Sequence, residues 1–245
     1  MTGRPEQLAF DLPATPRLGL ADWIVSACNR AAFDTVMRWP DWPSPVVVVA
    51  GPEGSGKSHL ARIFAERAAA RIIAAEALAD ADPLALAAAG PIVVEDVGPG
   101  TDERALFHLL NAARAAGVAV LLTARPSRPA WVPEIADLAS RLRAAQPVEL
   151  AEPDDELLES LIEKLFADRQ TRVDPSLPGY LARRMERSFA EAVRLVEALD
   201  RASLAAKRPI TRAIAAQVLA HDGVDADVTA FDEGDETDET ENNPS

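Results

Sequence analysis

The chain has 245 residues with 39 acidic and 25 basic side chains, and its formal net charge of −14 argues against a protein that binds nucleic acid by electrostatic attraction alone. The excess of acid is concentrated in residues 222–245, which hold ten Asp or Glu and no Lys or Arg and leave residues 1–221 with a net charge of −4. One cysteine, Cys28, excludes an internal disulfide, and no apolar run reaches the about 18 residues of a membrane span, so a cytoplasmic protein without a membrane partner is predicted.

The two ends of the chain lack the patterns of a folded core. Residues 1–19 contain three prolines and no lasting periodicity, which predicts a flexible arm. Residues 222–245 alternate acids with Gly, Thr and Asn, a composition that buries too little apolar surface to offset the entropy of ordering. They are predicted to form an acidic disordered tail.

Between these ends, short apolar runs alternate with longer helical patterns. Five runs predict strands: Val46–Val49, Arg71–Ile73, Ile92–Val94, Val118–Leu122 and Pro147–Leu150. Continuous apolar strands separated by helices are typical of a parallel sheet covered on both faces, so residues 20–150 are predicted to form an α/β core.

The pattern changes after residue 150. Apolar residues recur at helical spacing over residues 154–168, behind Asp154 as a helix N-cap. Ser188 and Glu191 form a capping box that opens a second long helix, and another helix is predicted after Pro209. Residues 151–221 are therefore predicted to form a small all-helical domain.

The segment from Gly51 to Ser58 fits the P-loop pattern G-x-x-x-x-G-K-[ST] between a predicted strand and a predicted helix. Such a loop cradles phosphates with backbone N–H groups, while its lysine reaches the β- and γ-phosphates and its Ser hydroxyl binds Mg²⁺. ADP or ATP with Mg²⁺ is the predicted ligand. The predicted nucleotide-binding residues of the loop are Gly51, Pro52, Gly54, Ser55, Gly56, Lys57 and Ser58.

A second acidic position follows the strand at Ile92–Val94, about forty residues after the loop. A P-loop commonly works with such a strand, in which one acid holds Mg²⁺ and the next orients an attacking water. Glu95 is predicted as the metal-side acid, together with Ser58, and Asp96 as the catalytic one. The alternative is a strand that ends in two solvated acids, and the order of the two roles stays open.

The segment Asp22–Ala32 resembles the entry motif of the DnaA family of AAA+ ATPases, and Asp137–Leu142 resembles its arginine-finger element. The resemblance implies that Ile24 and Val25 flank the adenine, that Arg141 contacts the γ-phosphate of a neighbouring subunit, and that residues 151–221 are the AAA+ lid. Without the family, the first segment is a capped helix entrance with a core Trp, and Arg141 is an exposed helix-end arginine, as Arg143 also is.

Within this family the chain most resembles the Hda regulators, which inactivate DnaA, because no basic helix-turn-helix pattern follows the lid. Residues 7–12 resemble the peptide with which these proteins dock on the sliding clamp, and the resemblance places Gln7, Leu8, Phe10 and Leu12 in the groove. DNA would then be reached only through the clamp. The alternative is an arm whose alternating apolar residues pack on its own domain as a strand.

Three positions depart from the family pattern. Glu95 stands where Asp is usual, the polar sensor after the strand Val118–Leu122 is either Thr123 or Arg125, and Ala190 stands where the second sensor arginine is expected, one turn from Arg187 and Arg194. Loss of a γ-phosphate sensor predicts weak intrinsic hydrolysis.

The sequence thus predicts a regulator of replication initiation that promotes hydrolysis of DnaA-bound ATP by supplying Arg141 in trans. Its partners would be DnaA and the clamp, and it is a possible homodimer. Two alternatives stay open, a helicase-loader-type ATPase that acts on single-stranded DNA and an adaptor in which the nucleotide is only structural.

Overall fold

The structure is a computed structural model, and it describes residues 19–126, 131–206 and 208–224. The chain divides into two compact units, and the division falls between Leu157 and Leu158. Each unit has its own apolar core. The predicted arm and most of the predicted tail lie outside the described residues.

The first unit is built on one parallel sheet. Its strands are β1 (Val46–Ala50), β2 (Arg71–Ala74), β3 (Ile92–Val97), β4 (Val120–Ala124) and β5 (Gln146–Glu149), in the spatial order β2-β3-β4-β1-β5. Every neighbouring pair is parallel, which confirms the predicted sheet. The first strand, β1, is therefore an interior strand, and its carboxyl end opens between those of β4 and β5.

Helices cover both faces of this sheet. The helices of the first unit are α1 (Arg30–Met37), α2 (Lys57–Ala68), α3 (Pro83–Ala88), α4 (Glu103–Ala116) and α5 (Ala136–Ala144), with 3-10 turns at Leu20–Asp22 and Ala75–Asp80. Successive residues of β1 point to opposite faces: Val47 and Val49 pack in one cluster with Phe64 of α2, and Val48 packs against the cluster that contains Leu106 of α4. The two-sided burial explains why the strand is apolar throughout.

The predicted start of the fourth strand is wrong by two residues. Helix α4 ends at Gly117, which adopts the left-handed conformation with φ 68°, and the N–H of Val118 donates to the carbonyl of Ala113. Val118 thus belongs to the turn that ends the helix, and the ladder of β4 begins at Val120.

The second unit is helical, as predicted. Its helices are α6 (Asp155–Asp168, in which the division falls), α7 (Leu177–Ala182), α8 (Phe189–Ala206) and α9 (Arg212–Val224). The N–H of Leu157 donates to Asp154 Oδ1 at 2.8 Å, and the N–H of Glu191 donates to Ser188 Oγ at 3.0 Å, which confirms both residues as N-caps. The N–H of Ser188 donates to the carbonyl of Glu186 at 2.8 Å rather than to the Glu191 carboxylate, so the reciprocal half of the predicted capping box is wrong. Within the described ranges, no helix has the length and apolarity needed to cross a membrane.

Candidate nucleotide-binding site

The P-loop lies at the carboxyl edge of the sheet, directly after β1. The N–H of Gly51 donates to the carbonyl of Ala124 at 3.2 Å, and the N–H of Leu150 donates to the carbonyl of Ala50 at 2.8 Å. The loop therefore starts between the ends of β4 and β5, in the crevice where open parallel sheets bind ligands. Helix α2 follows the loop at once, so that its N-terminus faces the same space.

Three glycines of the loop are required by its geometry. A Cβ at Gly51 would lie 2.6 Å from the carbonyl oxygen of Leu150 and 2.6 Å from Ser55 Oγ, so the backbone packs too closely for a side chain. Gly54 and Gly56 have φ values of 70° and 92°, a region that other residues adopt only with strain. The loop is therefore held as a tight backbone cradle.

Lys57 is turned into the cradle and is only 7% exposed. Its Nζ donates to the carbonyls of Gly51 at 2.9 Å and Pro52 at 2.7 Å. Burial lowers the pKa of Lys57, and the charge of Arg125 lowers it further. An ammonium group that is buried without a paired carboxylate gains most from an anionic ligand, which is the electrostatic requirement of a phosphate site.

Buried polar atoms without partners test whether a nucleotide with Mg²⁺ fits these residues. Ser55 Oγ and Glu95 Oε1 are buried and accept or donate no hydrogen bond within the described part of the chain. Ser58, the first-turn hydroxyl of α2, is exposed. The residues therefore fit a phosphate chain and its cation, with Ser58 and Glu95 as the groups that would hold the metal.

The described residues do not form a metal site by themselves. No group of three or more His, Cys, Asp or Glu side chains in these ranges is placed to hold an ion. Mg²⁺ usually keeps several waters and binds through one or two carboxylates plus substrate phosphates.

The second acid of the Glu95–Asp96 pair adopts an unusual backbone conformation. Asp96 has φ 59°, and the register between β3 and β4 shifts between Val94 and Val97, which marks a bulge. The N–H of Asp96, freed from the ladder, donates to Thr123 Oγ1 at 2.9 Å. The buried Thr123 therefore fixes the bulge that turns the Asp96 side chain toward solvent, where it is 63% exposed.

Arg125, the other sensor candidate, joins the P-loop to this bulge. Its Nη1 donates to Glu53 Oε2 at 2.8 Å, and its Nε lies 3.7 Å from Asp96 Oδ1. The guanidinium is exposed at 56%, so each ion pair is screened by water. Of the two candidates, Thr123 supports the backbone and Arg125 presents a charge at the edge of the site.

The entry segment with Ile24 and Val25 is held by a residue that motif analysis did not assign to the site. Asn29, which is 3% exposed, donates from Nδ2 to the carbonyl of Ile24 at 2.9 Å and accepts from the N–H of Ser26 at 3.0 Å. Ile24 and Val25 are half-buried. The available signal in the sequence was a polar residue, Asn29, inside the Asp22–Ala32 segment, but its role depends on the loop that closes onto it.

The same segment is anchored to helix α2 through aromatic contacts. The ring of Trp23 stacks on Phe33 with centroids 5.8 Å apart and meets His59 edge-on at 5.0 Å. The His59 ring nitrogen Nε2 lies 3.0 Å from the carbonyl of Gly19. Burial lowers the pKa of His59, so a neutral ring is favoured here.

Arg141 lies in the last turn of α5 and is half-buried. Its Cζ is 5.5 Å from the centroid of the Phe107 ring of α4. None of the carboxylates that the structure describes forms an ion pair with Arg141. Arg143, two residues later in the same turn, is exposed.

The remaining predicted residues lie in the second unit or outside the described ranges. Ala190 is exposed at the second position of α8, and Arg194 donates from Nη2 and Nε to the two carboxylate oxygens of Glu191, at 2.6 Å and 2.8 Å. The predicted clamp-binding residues, Gln7, Leu8, Phe10 and Leu12, lie outside the described residues.

Known proteins resemble this chain in both of its units. Residues 154–219 match the family model described as Hda, lid domain. Domain III of the Thermotoga maritima replication initiation protein DnaA superposes with a TM-score of 0.70 at 15% identity, over 86% of this chain and 98% of that one. The chain therefore has the fold of the DnaA AAA+ domain, and residues 154–219 are similar to the Hda lid domain.

Other solved structures have the same fold at a similarly low sequence identity. AMPPCP-bound DnaA from Aquifex aeolicus superposes with a TM-score of 0.64 at 16% identity. The superposition covers 76% of this chain and 65% of that one. The Thermotoga maritima RuvB Holliday junction branch migration motor has a TM-score of 0.57 at 16% identity, over 79% of this chain and 66% of that one. A search of curated protein sequences found no significant match.

Proposed function

We propose that this protein regulates the initiation of chromosome replication by promoting hydrolysis of the ATP bound to DnaA. The match of residues 154–219 to the Hda lid, on a core that resembles DnaA domain III, is the observation that carries the proposal. The arginine finger would be Arg141, whose guanidinium is bound to no carboxylate of the described residues and so keeps its full charge for a partner's phosphate.

The protein's own P-loop would bind ADP or ATP. Lys57 Nζ would exchange its two carbonyl acceptors for phosphate oxygens, and the unpartnered Ser55 hydroxyl would donate to the same group. Mg²⁺, held through Ser58 and Glu95, would neutralise phosphate charge. Structural neighbours solved with AMPPCP support a nucleotide as the ligand.

Hydrolysis in this protein's own site would be slow. Asp96, the proposed water-orienting acid, lies near Arg125 and points to solvent, and Ala190 cannot supply a charge where the family has an arginine. Stabilisation of the charge that develops on the γ-phosphate is therefore incomplete in cis. Steady-state ATPase of the purified protein should be far below that of the DnaA reaction it stimulates, and rapid turnover without a partner would contradict this assignment.

The decisive experiment is DnaA·ATP hydrolysis reconstituted with the DNA-loaded clamp. An arginine finger contributes about 10³- to 10⁵-fold to the rate, so Arg141→Ala should abolish the stimulation. Arg143→Ala is the matched control, because it removes the same charge from the same helical turn at an exposed position. Equal stimulation by wild type and Arg141→Ala would refute the proposal.

We also propose that the clamp tethers the protein through Gln7, Leu8, Phe10 and Leu12. The support is the sequence alone: a glutamine followed by three alternating apolar residues suits the rim and pockets of a peptide groove. Clamp pull-down by the wild type should fail for the variant Gln7→Ala/Phe10→Ala. Retention of that variant by the clamp would remove the tether while leaving the role of Arg141 open to its own test.

A second candidate is an ATPase that acts on single-stranded DNA. One observation favours it: the fold is also that of a DnaA structure solved with AMPPCP and single-stranded DNA. The net charge of −4 in residues 1–221 opposes it. Salt-dependent binding to a single-stranded oligonucleotide, together with rapid cis turnover, would establish this function instead.

A further inference from the structure

We propose that Phe107 is a positioning residue for Arg141, holding its guanidinium ready for a partner's nucleotide without neutralising it. This inference rests on the proposed role of Arg141 and names a residue outside the arginine-finger motif. It comes from the contact between the last turn of α5 and the face of α4.

Arg141 and Phe107 form a cation–π contact. The Arg141 Cζ lies 5.5 Å from the centroid of the Phe107 ring, within the distance at which an aromatic face attracts a cation. A carboxylate in that place would occupy the N–H donors and cancel the charge that a γ-phosphate must meet. The ring face attracts the cation and leaves the N–H donors in the guanidinium plane available.

The core restricts the motion of the Phe107 ring. Phe107 is half-buried and packs against the apolar cluster that includes Leu106, Leu110 and Leu138. The ring is therefore held by the core on one side while it carries the guanidinium on another. A side chain as long as arginine has many rotamers, and restricting them before binding reduces the entropy lost in the complex.

Helix α4, which carries Phe107, also holds the beginning of α5. Glu103 Oε1 accepts from the N–H of Glu134 at 3.0 Å, and Glu103 Oε2 accepts from the N–H of Ile135 at 2.9 Å. Glu103 and Phe107 are four residues apart and so share one face of α4. That face contacts α5 at its start through Glu103 and at its last turn through Phe107.

The test measures the clamp-dependent DnaA·ATP hydrolysis rate against concentration of the regulator. Phe107→Leu removes the aromatic face and keeps an apolar side chain, whereas Phe107→Tyr keeps the face and is the matched control. We expect the leucine variant to lower the maximal stimulated rate by about two- to fivefold, the usual worth of an exposed cation–π contact, and the tyrosine variant to match the wild type.

Two further readouts separate positioning from general destabilisation. ADP binding by the protein's own P-loop and its melting temperature should be unchanged in Phe107→Leu, and Phe107→Met serves the same comparison should the leucine variant melt earlier.

The outcomes distinguish this inference from the function on which it rests. If Arg141→Ala stimulates hydrolysis as well as the wild type does, the proposed function fails and this inference fails with it. If Arg141→Ala is inactive while Phe107→Leu and Phe107→Met are fully active, the arginine finger stands and the positioning role of Phe107 is refuted.

Discussion

The substitution Asn29→Ala tests how the entry segment is held beside the P-loop. Asn29 is 3% exposed, and its amide makes two hydrogen bonds, to the carbonyl of Ile24 at 2.9 Å and from the N–H of Ser26 at 3.0 Å. Each hydrogen bond between neutral groups contributes about 1 kcal/mol net. The expected loss in the free energy of unfolding is therefore about 2 kcal/mol for the two bonds. The loss should not be larger, because water can reach the half-buried loop once it loosens.

Thermal melting measures this loss. For a chain of this size, about 2 kcal/mol corresponds to a fall in melting temperature of about 4 to 8 °C. Thr35→Val is the matched control: it removes the hydrogen bond from Thr35 Oγ1 to the carbonyl of Ala31, which is exposed, so the expected change is within about 0.5 kcal/mol. If both variants melt together with the wild type, the amide of Asn29 does not hold the segment.

Ligand binding tests the consequence for the site. The role proposed for Ile24 and Val25 is contact with the adenine, so a loosened segment should weaken ADP binding by up to about 30-fold, the equivalent of 2 kcal/mol. Inorganic triphosphate has no base and should bind Asn29→Ala as it binds the wild type. Equal weakening of both ligands would show that the segment does not contact the base.

Three further predictions concern backbone strain and protonation. Gly56→Ala, at φ 92°, should destabilise the protein by about 1 to 2 kcal/mol and abolish ADP binding, whereas Gly90→Ala, at φ 120° away from the loop, should lower the melting temperature and leave ADP affinity unchanged. Burial lowers the pKa of His59 below its ordinary 6.5, so on acidification the unfolded chain takes up a proton at this residue before the folded protein does. The free energy of unfolding should therefore decrease as the pH falls below 6.5. If the melting temperature of His59→Phe depends on pH as that of the wild type does, this prediction is contradicted. Arg125→Ala should raise the pKa of Lys57, so the decline of ADP affinity at alkaline pH should begin at a higher pH than in the wild type, and an unshifted decline would exclude that coupling.

Most secondary-structure elements could be predicted from the sequence because their causes are local. The strand Val46–Ala50 is apolar throughout, and the caps at Asp154 and Ser188 lie at the spacing that the first turn of a helix requires. The P-loop could be predicted for the same reason. The backbone geometry that requires Gly51 and Gly56 arises within a motif of eight consecutive residues. The start of β4 was misplaced because the turn after Gly117 uses apolar residues that also suit a strand.

The contacts that shape the candidate site were decided only by the tertiary structure. Phe107 meets Arg141, and Arg125 meets Glu53, because the strand order brings together segments that are far apart in the chain. The left-handed turn at Asp96 depends on Thr123 of the neighbouring strand as its acceptor. Periodicity and motif spacing report which face of an element is buried and which groups are present, whereas the partner of each polar group depends on which elements become neighbours in the fold.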